Sequence, residues 1–137
     1  MSNAETKLRV LLVEDAALVV DQIRELLATV PRIEELFVVS TERDALRAIA
    51  QFEPHLAILD LKLKEGTGFG VLRSLGEMKS KPTTIVFTNY ALPHYRDLSV
   101  LVGADYFLDK SRDFESLPGI IESLDLANRP PRGPLLH

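Results

Sequence analysis

The sequence LRVLLVED occupies residues 8–15, where a short apolar run interrupted only by Arg9 ends in two acidic side chains. Apolar runs of this length are typical of strands that are covered on both faces, as in a parallel sheet. Four further runs follow along the chain, at residues 36–39, 56–59, 84–87 and 106–108. The pattern therefore predicts five buried strands.

The segments between these runs have the apolar spacing of amphipathic helices. In the first segment, apolar side chains recur at i, i+4, i+7, i+8 and i+11, which places them on one helical face. The five predicted faces comprise Val19, Ile23, Leu26, Leu27, Val30; Ala45, Leu46, Ile49, Phe52; Leu72, Leu75, Met78; Leu98, Leu101, Val102; and Phe114, Leu117, Ile120, Ile121, Leu124. Alternating strands and helices predict an α/β fold, a doubly wound five-stranded parallel sheet with right-handed crossovers.

Composition narrows the class of protein. The chain has 137 residues, of which 46% are hydrophobic and 26% charged, and its net charge is −4. This length suits one globular domain. With no Cys, disulfides and thiolate metal sites are excluded. The acidic balance argues against a nucleic-acid binder, and the lack of a long apolar run argues against a membrane span. We therefore expect a soluble cytoplasmic protein with no nucleic-acid or membrane partner.

The two ends of the chain carry no apolar pattern. The first six residues are excluded from the predicted fold. Residues 128–137 contain three prolines, at 130, 131 and 134, which is typical of a frayed end or a linker. We therefore expect a folded domain over residues 7–127, followed by a flexible Pro-rich tail or linker stub at 128–137.

Polar side chains follow four of the five predicted strands. Glu14 and Asp15 follow the first, Asp60 the third, Thr88 ends the fourth, and Lys110 comes just after the fifth. Ligands of open α/β sheets bind outside the carboxyl ends of the strands. Three crowded carboxylates need a counter-ion, and Mg²⁺ prefers carboxylate oxygens. The sequence therefore predicts a Mg²⁺ site, with Lys110 available to an anionic group.

Four stretches of this sequence together resemble the receiver domain of two-component response regulators, including the chemotaxis regulators. They are Leu11-Leu12-Val13-Glu14-Asp15, Ile58-Leu59-Asp60-Leu61, Val86-Phe87-Thr88 and Gly103-Ala104-Asp105-Tyr106-Phe107-Leu108-Asp109-Lys110. The resemblance spans roughly residues 7–126 and places motifs on four strands in the same order. It implies a flavodoxin-like (βα)5 fold with strand order 2-1-3-4-5.

The resemblance also implies roles for the strand-end residues. Asp60 would accept a phosphoryl group, which agrees with the capacity of a carboxylate to act as a nucleophile. Thr88 and Lys110 would bind phosphoryl oxygens. The metal ligands would be the side chains of Glu14, Asp15 and Asp60 and the backbone carbonyl of Lys62. The chain would catalyse its own phosphorylation and dephosphorylation, with no turnover of an external substrate.

The same resemblance implies a switch and its partners. Thr88 would move toward the phosphoryl group, and Phe107, three residues before Lys110, would turn inward. The surface formed by helix four, strand five and helix five would then change, and two copies would pair through it in a homodimer. The donor would be a histidine kinase or a phosphotransfer protein, and the output a downstream protein target or an attached output domain. No DNA-binding domain fits in the chain, which is either a stand-alone receiver or a segment of a longer regulator.

Three positions depart from the common receiver pattern. Lys64 stands where receivers often have Pro, Asn89 where a small residue is common, and Ser111 where Pro often follows the lysine. Lys62 adds a second cation near Asp60. These departures affect the expected rates of phosphorylation and dephosphorylation and the geometry of the loop after the fifth strand. They remove no catalytic group.

Other interpretations of the sequence remain. A receiver-like module that is never phosphorylated would serve dimerisation or docking, and a flavodoxin-like cofactor binder would need a hydroxyl-rich loop after the first strand, which is absent. Gly66-Thr67-Gly68-Phe69-Gly70 suits a turn into a helix better than a nucleotide loop, because it follows the third strand. A haloacid-dehalogenase-type phosphatase would need Asp where Lys62 stands.

Overall fold

A five-stranded parallel sheet forms the centre of the protein, in a computed structural model that describes residues 7–124. Its strands are β1 (Leu8–Val13), β2 (Ile33–Val39), β3 (Leu56–Leu59), β4 (Thr83–Thr88) and β5 (Tyr106–Asp109), in the order β2-β1-β3-β4-β5. All four neighbouring pairs are parallel. The predicted α/β class and strand order are therefore confirmed, whereas the tail predicted at 128–137 lies outside the described residues.

Helices connect the strands. They are α1 (Ala17–Leu27), α2 (Glu42–Phe52), α3 (Gly68–Leu75), α4 (Pro93–Leu101), α5 (Lys110–Asp113) and α6 (Leu117–Ser123), with a 3-10 turn at Phe114–Ser116. Thr41 caps α2 by accepting a hydrogen bond from the Asp44 N–H, and Thr67 caps α3 in the same way through the Gly70 N–H. Pro93 begins α4, a position where its missing N–H costs nothing. No helix within residues 7–124 has both the length and the apolar content needed to cross a bilayer.

Each face of the sheet carries its own hydrophobic core. Successive side chains of β1 alternate between the faces, so that Leu11 and Val13 lie in one core and Val10 and Leu12 in the other. The first core is closed by apolar side chains of α2 and α3, and the second by those of α1 and α6. Residues of β3, in the middle of the sheet, are buried on both sides. This explains why β3 is an uninterrupted apolar run.

The last helical segment is less regular than its apolar spacing predicts. One continuous face over residues 114–124 was expected, but the chain forms α5, the 3-10 turn and then α6. Pro118 lies in the first turn of α6. Proline lacks the N–H needed in a helix interior, so it favours a new helix start at this point.

The apolar face predicted for α4 is wrong at two of its three residues. Leu98 and Leu101 are 42% and 80% exposed, whereas Ser99 is fully buried. The packed face comprises Tyr95, Ser99 and Val102, which follow helical spacing equally well. In a helix this short, apolar periodicity alone does not distinguish between two overlapping faces.

Candidate functional site

Three acidic side chains meet at the carboxyl ends of β1 and β3. These strands are neighbours, with Val13 opposite Leu59, so the residues that follow them lie level. The Asp60 N–H donates to the Val13 carbonyl at 3.0 Å. One carboxylate oxygen from each of Glu14, Asp15 and Asp60 lies within 4.8 Å of the others. The parallel sheet therefore places these carboxylates close together, as the sequence predicts.

Lys110, the first residue of α5, also contacts this cluster. Its ammonium nitrogen forms an ion pair with Glu14 Oε1, and a second with Asp60 Oδ2 at 2.9 Å. All three residues are buried, with Lys110 and Asp60 each 8% exposed and Glu14 3%. One ammonium group thus bridges the ends of two strands.

Burial and the ion pair have opposite effects on the pKa values of Glu14 and Lys110. Burial raises the pKa of Glu14, although the hydrogen bond and charge of Lys110 oppose that rise. For Lys110, burial alone would lower the pKa, but the hydrogen bonds to Glu14 and Asp60 outweigh it and raise the pKa. Lys110 therefore stays charged, and it neutralises only part of the acidic cluster.

The cluster has the oxygen donors that a divalent cation requires. Asp60 Oδ1 is buried and, among residues 7–124, has no hydrogen-bond donor, while Asp60 Oδ2 contacts Lys110. Asp15 is exposed at the rim. Three carboxylates facing one ammonium leave an excess of negative charge, and hard cations such as Mg²⁺ prefer this donor type. The residues therefore fit a Mg²⁺ ion.

Three other predicted site residues take no part in these ion pairs. Thr88 is fully buried at the end of β4, and its Oγ1 accepts a hydrogen bond from the Tyr90 N–H at 3.1 Å. Lys62 is exposed, and its ammonium nitrogen lies 5.5 Å from the Tyr90 ring centroid. Phe107 is buried in the core beside α2 and α3, with the Arg96 guanidinium 5.4 Å from its ring centroid.

Sequence reasoning overlooked two neighbours of the site. Tyr90 contacts Lys62 and also approaches the Tyr95 ring, with 6.4 Å between centroids. Glu42 contacts the loop that follows Asp60. The glycines at 66 and 70 signal room for a bulky neighbour, but nothing in the sequence indicates which side chain fills it.

A family model described as the response regulator receiver domain matches residues 10–122. The chain belongs to this family. Receiver domains are the phosphorylation-controlled input modules of two-component systems, and they bind Mg²⁺ at an acidic pocket. This receiver domain has an acidic cluster formed by Glu14, Asp15 and Asp60.

Curated relatives are longer proteins that share this module. The chain is 31% identical over 83 residues to the sensory transduction protein LytT of Bacillus cereus, covering 61% of this chain and 34% of that protein. It is 26% identical over 111 residues to protein-glutamate methylesterase/protein-glutamine glutaminase 2 of Saccharophagus degradans, covering 80% of this chain and 32% of the relative. The receiver domain thus spans about a third of these relatives.

Solved structures are similar over most of the chain. The signal receiver domain of a putative Luxo repressor protein from Vibrio parahaemolyticus is 30% identical, with a TM-score of 0.77 over 84% of this chain and 87% of that one. A LuxR-family response regulator from Staphylococcus aureus is 23% identical, with a TM-score of 0.78 over 88% of this chain and 99% of that one. The second likeness supports the fold alone.

Proposed function

We propose that this receiver domain accepts a phosphoryl group on Asp60 from a histidine kinase or a phosphotransfer protein, in a Mg²⁺-dependent reaction. The observation that carries the proposal is the pairing of Asp60 Oδ2 with the buried ammonium of Lys110, beside two further carboxylates. A carboxylate held next to a fixed cation and a metal site is a suitable nucleophile for phosphorus.

The protein's own groups have distinct tasks in this reaction. Asp60 supplies the attacking oxygen, so that an acyl-phosphate bond forms as the bond between phosphorus and the donor breaks. Glu14, Asp15, Asp60 and the Lys62 carbonyl would hold a Mg²⁺ ion, which would supply positive charge for the phosphoryl oxygens. Lys110 pairs with a second phosphoryl oxygen.

Thr88 is suited to sense the product. Its Oγ1 accepts the Tyr90 N–H, and that bond leaves the hydroxyl hydrogen available to a phosphoryl oxygen. A phosphoryl group adds roughly −1.5 to −2 charge at this edge of the sheet. Movement of Thr88 toward it would stabilise Phe107 in the inward position that it already occupies, and would alter the surface formed by α4, β5 and α6.

That altered surface is the proposed output. It would contact a downstream protein target or an attached output domain, and would support a homodimer. Leu98 and Leu101 lie exposed on α4 and supply apolar area for such a contact. We also propose a cytoplasmic location and a domain spanning residues 7–127, with 128–137 as a tail or linker.

Asp60→Asn tests the phosphoacceptor. After incubation with acetyl phosphate and Mg²⁺, intact-protein mass spectrometry should show a phosphoryl adduct on the wild type and none on the variant. Undiminished labelling of Asp60→Asn would assign the reaction to another carboxylate. No adduct on the wild type would favour a docking module that is never phosphorylated.

Asp15→Ala tests the metal site. The variant should lose Mg²⁺ affinity and phosphorylation while its circular dichroism spectrum stays native, because Asp15 is exposed and outside the core. Removing one of three crowded carboxylates should also stabilise the metal-free protein. Unchanged Mg²⁺ affinity would show that Asp15 is not a ligand.

A further inference from the structure

The loop that leads from Asp60 to α3 rests directly on the phosphoacceptor. The Gly68 N–H donates to the Leu61 carbonyl at 3.0 Å. A Cβ at Gly68 would lie 2.4 Å from the Asp60 carbonyl oxygen, so only glycine permits this approach. A shift of the segment at residues 61–68 would therefore also displace the backbone of Asp60 and of Lys62.

Glu42, at the first position of α2, holds the far side of this loop. Its backbone N–H donates to the Glu65 carbonyl at 3.0 Å, and its side-chain Oε1 accepts the Thr67 N–H at 3.0 Å. Thr41, the residue before it, forms an isolated parallel bridge with Glu65. One residue of α2 thus contacts the loop through both backbone and side chain.

Two glycines provide the space that the Glu42 side chain occupies. A Cβ at Gly66 would lie 2.4 Å from Glu42 Cβ, and a Cβ at Gly70 would lie 2.3 Å from Glu42 Oε1. Gly66 also has a φ of +83°, a conformation that other residues rarely adopt. The glycine-rich stretch is therefore shaped to receive a carboxylate from α2, which explains a motif that resembles a nucleotide loop but is not one.

We propose that Glu42 is a positioning residue for the phosphorylation site. By fixing the loop at Thr67 and Glu65, it fixes the backbone that carries Lys62 and abuts Asp60. Glu42 belongs neither to the acidic cluster nor to the ion pairs of Lys110, so it acts through the loop. This inference rests on the proposed function, because it concerns the Mg²⁺ affinity and phosphorylation of that site.

Four variants separate this role from general stabilisation of the fold. Glu42→Ala removes the acceptor for the Thr67 N–H, and Glu42→Gln keeps an acceptor of the same shape. Gly70→Ala leaves Glu42 in place but pushes its carboxylate aside. Asp44→Ala is the matched control, since Asp44 is an exposed acidic residue in the same first turn of α2.

Amide hydrogen exchange without metal and Mg²⁺ titration by NMR are the two measurements. In Glu42→Ala, the Thr67 amide should exchange about tenfold faster, the equivalent of one lost hydrogen bond, and Mg²⁺ should bind several-fold more weakly. Gly70→Ala should show both effects in the wild-type background and no added effect in the Glu42→Ala background. Glu42→Gln and Asp44→Ala should resemble the wild type.

Two results would overturn the inference while the proposed function stands. One is faster exchange at Thr67 in Glu42→Ala with unchanged Mg²⁺ affinity and phosphorylation, which would make Glu42 a support for the loop only. The other is equal loss in Glu42→Ala and Asp44→Ala, which would assign the effect to charge. Failure of the wild type itself to bind Mg²⁺ would overturn the proposed function and this inference together.

Discussion

Lys110 joins side chains that are remote in sequence, lying 96 residues from Glu14 and 50 from Asp60. Removing charges from water is costly, and a buried ion pair offsets that cost only with good geometry and further hydrogen bonds. Here one ammonium serves two carboxylates, and one of these keeps an oxygen that has no hydrogen-bond donor within residues 7–124. The arrangement is therefore better suited to binding a cation and a phosphoryl group than to stabilising the fold.

Asp109, the residue before Lys110, has a pKa that is set by its hydrogen bonds. Its Oδ1 accepts hydrogen bonds from the Ser111 N–H at 2.9 Å and the Ser111 hydroxyl at 2.7 Å. These bonds hold the pKa of Asp109 below its ordinary value of 3.8. Because the folded-state pKa is lowered, the group stabilises the fold above pH 3.8, and this contribution is lost as pH falls through the folded-state pKa.

Ser111→Ala should therefore move the Asp109 titration midpoint upward, toward 3.8. Carbon-13 NMR of the side-chain carboxyl groups measures the midpoint in both proteins. Arg112→Ala is the control and should shift it less, because the charge of Arg112 lowers this pKa less than the Ser111 bonds do. Identical midpoints in wild type and Ser111→Ala would contradict the assignment of this pKa shift to the Ser111 hydroxyl.

Among the elements, β5 connects the site to α4. Its neighbouring aromatic side chains point to opposite faces, with Phe107 in the core beside α2 and α3 and Tyr106 against the core beside α1 and α6. Phe107 is 6% exposed, and burial of its ring leaves no hydroxyl unpaired. The register of β4 and β5 pairs Val86 with Phe107, two residues before Thr88.

We predict that Phe107 populates this inward position partly even without phosphate, in exchange with an outward one. Minor states of such equilibria are typically ~0.1–10% populated, so the free-energy difference is a few kcal/mol at most. Fluorine NMR of fluorinated phenylalanine should show two environments for Phe107, and beryllofluoride, a phosphoryl mimic, should shift the balance inward.

The same spectra need an assignment, because the chain has six phenylalanines. Phe107→Leu identifies the resonance by its loss. A single Phe107 environment, unchanged by beryllofluoride, would make this residue part of the core only and leave Thr88 and α4 to transmit the signal.

Across the whole molecule, Arg32 ties the end of the fold to its beginning. The side chain is 2% exposed, and its Nη1 lies 2.9 Å from the Ile121 carbonyl and 2.8 Å from that of Leu124. Its own carbonyl accepts the Leu8 N–H at 2.8 Å. Arg32 thus joins the starts of β1 and β2 to carbonyl groups at the C-terminal end of α6.

Arg32→Met should lower the free energy of unfolding by about 2–4 kcal/mol, because carbonyls at the end of α6 lose a charged donor in a buried place. Chemical denaturation monitored by circular dichroism measures the loss, and amide exchange should rise first in α6. Arg112→Met is the control: this arginine is 70% exposed in its pair with Asp113, and exposed pairs contribute about 0–1 kcal/mol. Equal losses in the two variants would refute the role of Arg32.

The fold class is predictable from the sequence alone, because apolar runs are typical of strands with two covered faces and apolar side chains at helical spacing indicate the helices between them. The clustering of Glu14, Asp15 and Asp60 is also predictable, because parallel strands bring their carboxyl ends to one edge of the sheet. The resemblance to receivers then supplied the strand order, which no local pattern contains.

Contacts that depend on how helices rotate and approach the sheet are visible only in the folded protein. Three such contacts join segments that are far apart in sequence. They are the packing of α4 on the sheet, the hydrogen bonds of Arg32 to the end of α6, and the fit of Glu42 between Gly66 and Gly70. Periodicity records which positions are apolar, but several faces of a short helix satisfy it equally well. Only the packing of each helix against the sheet selects one of them, because shape and buried polar groups must be satisfied at the same time.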